Sequence, residues 1–196
     1  MSPLARCARG LLAGAVLLVA GCGGESAPST QPPTSAPAPS PQTSSPPPPP
    51  SPEEAAAVAA LVAFQDAVRV TDQARKDPAA QDWEPAIRRH LGDPAAVLAV
   101  QSVRDYATLG LRQEGDSVVT AEVTEVDLAA AEGPTVRITG CFDSGSRQVI
   151  DVNTGVPVAP GTPPRFVWNV GVTQFPTEVG EPWLVTVLEP LTSQPC

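Results

Sequence analysis

The sequence predicts an α+β domain, in which helices come first and are followed by an antiparallel sheet of about five strands. Three observations carry this. Apolar residues recur at helical spacing only in the first half of the region after residue 52. Past Gly110 the pattern changes to runs rich in Val, Ile, Thr and aromatics, separated by Gly or Pro clusters. Helices and strands therefore segregate along the chain rather than alternate, which excludes a doubly wound parallel sheet.

The first helix is expected over Pro52 to Ala74. Ser51-Pro52-Glu53-Glu54 has the S-x-x-E spacing of a capping box with proline at the first helical position. Val58, Leu61, Val62, Gln65 and Val68 then follow at helical intervals with Phe64 beside them, until Asp77-Pro78 stops the pattern. A short second helix is expected from Trp83 to His90. A third is expected after Asp93-Pro94, taken as N-cap and first-turn proline, running through Val97, Val100 and Val103 to an exit at Gly110.

Five strands are expected: Ser117 to Asp127, Thr135 to Asp143, Arg147 to Val152, Arg165 to Phe175 and Trp183 to Glu189. Phe166, Trp168, Val170 and Val172 alternate with Arg165, Asn169 and Thr173, giving the fourth strand one apolar face. In the last strand Trp183, Val185 and Val187 share a face by the same rule. Asp143-Ser144-Gly145-Ser146 reads as a tight hairpin turn.

Ahead of this domain lie two segments of different character. Arg6 and Arg9 precede an uncharged apolar run from Gly10 to Gly21 that meets Cys22, the order of a secretory leader. Only 12 residues separate Arg9 from Cys22, whereas a membrane span needs about 20. Val19-Ala20-Gly21-Cys22 resembles the bacterial lipobox. The resemblance implies a signal peptide over residues 1–21, cleavage between Gly21 and Cys22, and diacylglycerol on the Cys22 thiol. Ordinary secretion with cleavage at a small-residue site is the alternative. Residues 22–52 then form a tether. Between Ser26 and Pro52, 12 of 27 residues are proline and none is charged, aromatic or a large aliphatic, so nothing there drives collapse. Polyproline II geometry gives this stretch an upper reach of about 80 Å, at ~3.1 Å per residue. Its Ser and Thr hydroxyls are also candidate glycosylation acceptors.

Residues 53–196 make one domain's length. Loss of the leader removes two basic residues and no acidic ones, leaving ten against 21 and a net charge of −11. That argues against nucleic acid as a partner, since phosphate binding needs clustered cations. Cys7 falls in the leader and Cys22 is assigned to lipid, so Cys141 and Cys196 remain as an even pair in an exported domain. They are expected to form a disulfide.

Two or three helices followed by a curved antiparallel sheet ending in Trp183-Leu184-Val185-Thr186 resemble the cone-shaped nuclear transport factor 2-like fold. Gly140-Cys141-Phe142-Asp143 and the segment from Val149 to Val158 are similar to uncharacterised actinobacterial lipoproteins of that fold. The resemblance brings no shared catalytic set. It implies a lipid-anchored protein on the outer face of the bacterial cytoplasmic membrane, non-catalytic and without a cofactor. Its cone would hold a small apolar ligand or present a surface to an envelope protein. The alternative is a small enzyme similar to SnoaL-like cyclases or ketosteroid isomerases, using a carboxylate inside the cone with Tyr106 or Trp83 nearby.

Other chemistry is thinly represented. Gly115-Asp116-Ser117 resembles the start of a Gly-Asp-Ser-Leu esterase block, but residue 118 is Val and no histidine lies downstream; a turn is expected. His90 is the single histidine and, with Arg88 and Arg89, reads as a solvated helix end. Glu122, Glu125 and Asp127 differ in strand parity and are not expected to converge on a metal. Metabolic labelling with a fatty-acid analogue should mark the wild-type protein and leave Cys22→Ser unlabelled. Equal labelling of both contradicts the lipobox reading.

Overall fold

The computed structural model describes residues 48–196. The leader, Gly21, Cys22 and the tether as far as residue 47 lie outside the described residues. The described chain opens with three exposed prolines, 48–50, and passes directly into helix α1, Pro52–Lys76. Both halves of the capping box are made: Glu54 N–H donates to Ser51 Oγ at 3.2 Å, and Ser51 N–H donates to Glu54 Oε2 at 2.7 Å. Glu53 and Glu54 in the first turn and Arg75 and Lys76 in the last complement the helix dipole.

The buried face of α1 differs from the expected stripe. Ala56, Ala60, Ala63, Phe64, Ala67, Val70 and Ala74 are buried, whereas Val58 and Val62 are 63% and 52% exposed and Gln65 faces solvent. Alanine lets the helix axis approach the sheet closely, and burial follows from that approach rather than from the largest aliphatic side chains. Leu61 and Val68 pack at its margin.

Helix α2, Glu84–Ile87, is one turn long and shorter than expected. Tertiary pairing ends it. Leu91 bridges Val185 in parallel; Gly92 N–H donates to the Val185 carbonyl, and Val185 N–H donates to the His90 carbonyl, both at 3.0 Å. Helix α3, Ala95–Leu109, exits at Gly110 in the left-handed conformation, φ 65°. Its N-cap is Pro94, not Asp93, whose carboxylate instead accepts from Arg88 Nη1 at 2.9 Å. Val100 and Val103 are buried as expected, but Val97 is exposed.

Seven strands follow, in two antiparallel sheets rather than one. Strands β1 (Leu111–Glu114), β4 (Gln148–Asp151) and β5 (Pro157–Val158) form a small sheet in the order β1-β4-β5. Strands β2 (Val118–Asp127), β3 (Thr135–Asp143), β6 (Arg165–Gln174) and β7 (Trp183–Leu191) form the larger one in the order β2-β3-β6-β7. The α+β class holds, but the single sheet of about five strands does not form. The two additional strands are too short, and β5 too exposed, to carry an alternating signal. The turn after Asp143 is not a hairpin turn, because β3 and β4 belong to different sheets. Ser144 N–H donates to the Pro164 carbonyl and Arg147 N–H to the Ser144 carbonyl, and the chain crosses from one sheet to the other.

Two bulges break strand parity in the larger sheet. Val123 pairs with Ile138 and Glu125 with Arg137, leaving Thr124 without a register partner. Gly171 pairs with Val187 and Val172 with Val185, leaving Thr186 in the same position. Val185 is consequently in the core while Val187 is exposed, against the expectation that they share a face.

Cys141 on β3 and Cys196 are bonded, with Cα atoms 5.7 Å apart and a separation of 55 positions in sequence. The core, both sheets and this bridge all fall within the described residues. Closing a loop of that length contributes about 4 kcal/mol in the chain-entropy model. Urea unfolding of the oxidised and reduced protein should therefore differ by about 4 kcal/mol. Coincident curves would show that the bridge does not restrain the unfolded chain.

Candidate functional site

One face of α1 carries more than alanine. Phe64, Ala67, Val68, Thr71, Asp72 and Arg75 recur at helical spacing and form one wall of a cavity of about 220 Å³. Ala95, Leu98 and Ala99 of α3 contribute a second wall, and Ser117, Phe142, Trp168, Leu188 and Pro190 close it from the sheet side. Its lining is mainly apolar, with a few polar groups, the usual character of a small-ligand pocket.

The aromatic floor is set by strand register. Phe142 and Phe166 are direct partners on β3 and β6, and Gly140 is the partner of Trp168. Phe142 and Trp168, diagonal neighbours, stack with ring centroids 4.7 Å apart and an interplanar angle of 1°. A side chain at position 140 would press on Val119 and approach Phe64, so glycine there leaves room for the close approach of α1. Phe64 meets Trp168 at 6.4 Å.

Polar groups enter from the far end of α1. Asp72 is buried and accepts from Ser117 twice, from the backbone N–H at 2.7 Å and from the hydroxyl at 2.9 Å. These bonds tie the β1–β2 turn to the helix. Gly115 in that turn has φ 80°, and a Cβ there would collide with the Ser146 carbonyl oxygen. The Gly115-Asp116-Ser117 segment is thus a turn, as expected, and the Ser117 hydroxyl is a donor to a carboxylate rather than a nucleophile beside a base.

Arg75 is the less settled group. Its Nη2 donates to Ser102 Oγ at 3.1 Å and its guanidinium lies 5.8 Å from the centre of the Tyr106 ring, but its Nε is buried without a partner. Burial holds its pKa below the usual arginine value; Tyr106 and Asp72 oppose that shift and Arg147 adds to it. The cation persists nonetheless. Trp168 Nε1 is a second buried donor without a partner.

The remaining predicted positions fall elsewhere. Tyr106 stands beside Arg75, but Trp83 donates through Nε1 to the Asp77 carbonyl and lines a separate cavity between α2 and α3. His90 is not a solvated helix end: it is half-buried in the segment that pairs with β7, and desolvation lowers its pKa. Arg88 there is engaged by Glu84 and Asp93. The bulge at Thr124 brings Glu122, Glu125 and Asp127 onto one face of β2, correcting the parity argument. Glu125 pairs with Arg137 at 3.0 Å, and no group of three or more potential ligands capable of holding a metal occurs among the described residues.

The signal for Asp72 and Arg75 was present in the sequence. They follow Phe64 by eight and eleven residues, intervals that return to the same side of a helix. The sequence pattern conceals them because the large aliphatic residues Val58 and Val62 lie on a different, exposed face of the helix.

No family model matches this chain, and no curated protein does. Among solved structures it is similar to the intermembrane space region of the chloroplast protein ARC6, at 15% identity and a TM-score of 0.48, over 69% of this chain and 96% of that one. It is also similar to a de novo designed β-sheet protein, at 14% identity and a TM-score of 0.32, over 67% of this chain and 88% of that one.

Replacing Asp72 by Asn should cost about 1–3 kcal/mol, because an amide presents one acceptor where Ser117 supplies two donors. Ser117→Ala should cost less, since the backbone donor remains. Equal stability of Asp72→Asn and wild type in urea titrations would show that the latch contributes nothing.

Proposed function

We propose that this chain is a lipid-anchored cell-envelope protein whose α+β domain binds a small, largely apolar ligand between α1, α3 and the four-stranded sheet. The observation that carries the reading is the cavity itself: about 220 Å³ bounded by Phe64, Phe142, Trp168, Leu98 and Leu188. An engineered apolar cavity of about 150 Å³ accommodates benzene, so this one suits a ligand of about nine or ten non-hydrogen atoms. Helices that precede an antiparallel sheet and enclose a pocket against it support the cone-shaped, nuclear transport factor 2-like reading.

Anchoring at Cys22 would hold the domain on the outer face of the bacterial cytoplasmic membrane, with the proline-rich tether as spacer. The acidic balance of the chain favours standing clear of anionic head groups. Against catalysis stands the state of the carboxylate in the cavity: both oxygens of Asp72 accept from Ser117. That is the environment of a structural latch rather than of a general base open to substrate.

Native mass spectrometry of the protein purified from its own host should reveal a non-covalent small-molecule adduct. Ala99→Phe, which places a ring in the cavity, should abolish it without loss of the folded state. A bare wild-type mass, together with a crosslinked envelope partner in cells, would replace ligand binding by partner presentation.

A further inference from the structure

The cations of the domain are not distributed as its acidity would suggest. Among the described residues, ten side chains are Lys or Arg, and seven of them lie within 4 Å of a carboxylate: Arg69, Lys76, Arg88, Arg104, Arg112, Arg137 and Arg165. The other three are Arg75, Arg89 and Arg147. Arg89 is exposed and hydrated. Arg75 and Arg147 are not: one lines the cavity, and the other stands over the Phe142 ring that forms its floor, 5.1 Å from the ring centre. Acidic residues outnumber basic ones 21 to 12 in this chain, so two uncompensated guanidiniums at one place are unexpected from composition.

Their local environment makes the arrangement costly. A partly buried charge without a contacting counter-ion loses solvation, and for Arg75 the more distant Asp72 carboxylate offsets only part of that loss. The two cations also repel each other, and Arg75 Nε has no hydrogen-bond partner. The buried acid on the same helix, Asp72, is engaged by Ser117. Trp168, with Phe142, supplies the aromatic part of the same cavity lining. A guanidinium with no carboxylate within 4 Å, lining a largely apolar chamber, defines what fits there: a negatively charged acceptor attached to an apolar body.

We infer that the ligand is a small organic anion, a carboxylate of about ten non-hydrogen atoms with an aromatic or branched body, whose head group is met by Arg75 and whose body lies against Phe142 and Trp168. The inference rests on the pocket reading given above. Arg147, over the Phe142 ring, adds to the positive field.

The test uses phenylacetate and its uncharged counterpart 2-phenylethanol, titrated into the unlipidated protein lacking its leader and followed by tryptophan fluorescence. Phenylacetate should bind at least ~10-fold more tightly, the range expected when a charge-assisted hydrogen bond is gained. Raising salt from about 0.05 M to 0.5 M should weaken phenylacetate alone. Arg75→Met should remove the preference, and Arg75→Lys should keep part of it. Equal affinity of wild type for the two probes overturns the head-group assignment while leaving the pocket in place. Binding of neither overturns the pocket and the assignment together. A preference that survives in Arg75→Met overturns the role given to Arg75. If Arg75→Met does not fold, the wild-type preference and its salt dependence decide the matter alone.

Discussion

The close approach of α1 to the four-stranded sheet is the constraint on which the rest of this domain depends. It is made possible by alanines at 56, 60, 63, 67 and 74 and by Gly140 on the facing strand, with Phe64 as the one large side chain between them. A helix faced with leucines would stand farther off and would not bring its last turns to Ser117 and Ser102. Because the helix lies low, Asp72 reaches the β1–β2 turn and Arg75 reaches α3. The cavity is lined by that helix, α3 and the sheet. Packing geometry and polar chemistry therefore have one origin.

Much of the framework was legible in the sequence because it depends on local backbone requirements. The capping box at Ser51 and Glu54, the left-handed exit at Gly110, the turn at Gly115 and the Cys141–Cys196 pairing each follow from a residue whose chemistry has few other uses. What was not legible depends on contacts distant in sequence. Alanine carries almost no hydrophobic signal, so the buried face of α1 was assigned to Val58 and Val62. The length of α2 is set by pairing of His90 and Gly92 with Val185, which no local pattern encodes. A bulge arises when one strand gains a residue relative to its partner, so the parity of Glu122 and Glu125, or of Val185 and Val187, cannot be read from either strand alone.

The candidate site shows the same division. The aromatic floor was visible as the apolar side of β6, but its stacking on Phe142 needs the β3–β6 register. By sequence alone Asp72 and Arg75 are two charges among many on a long helix. Their burial makes them informative, and their difference is chemical: Asp72 finds two donors on Ser117, whereas Arg75 retains an N–H without an acceptor. Among the described residues most cations are paired, and that asymmetry distinguishes the end of the cavity where Arg75 stands.

The displaced register at Thr124 has a further effect at the open border of the larger sheet. Strand β2 is ten residues long and bonded on one side only, and a straight border of that length is a template on which foreign chains assemble. Interrupting it with an extra residue twists the border, and Glu122 and Asp127 on its solvent side add like charge that disfavours another copy brought edge to edge. The irregularity thereby opposes fibril-like stacking along this strand.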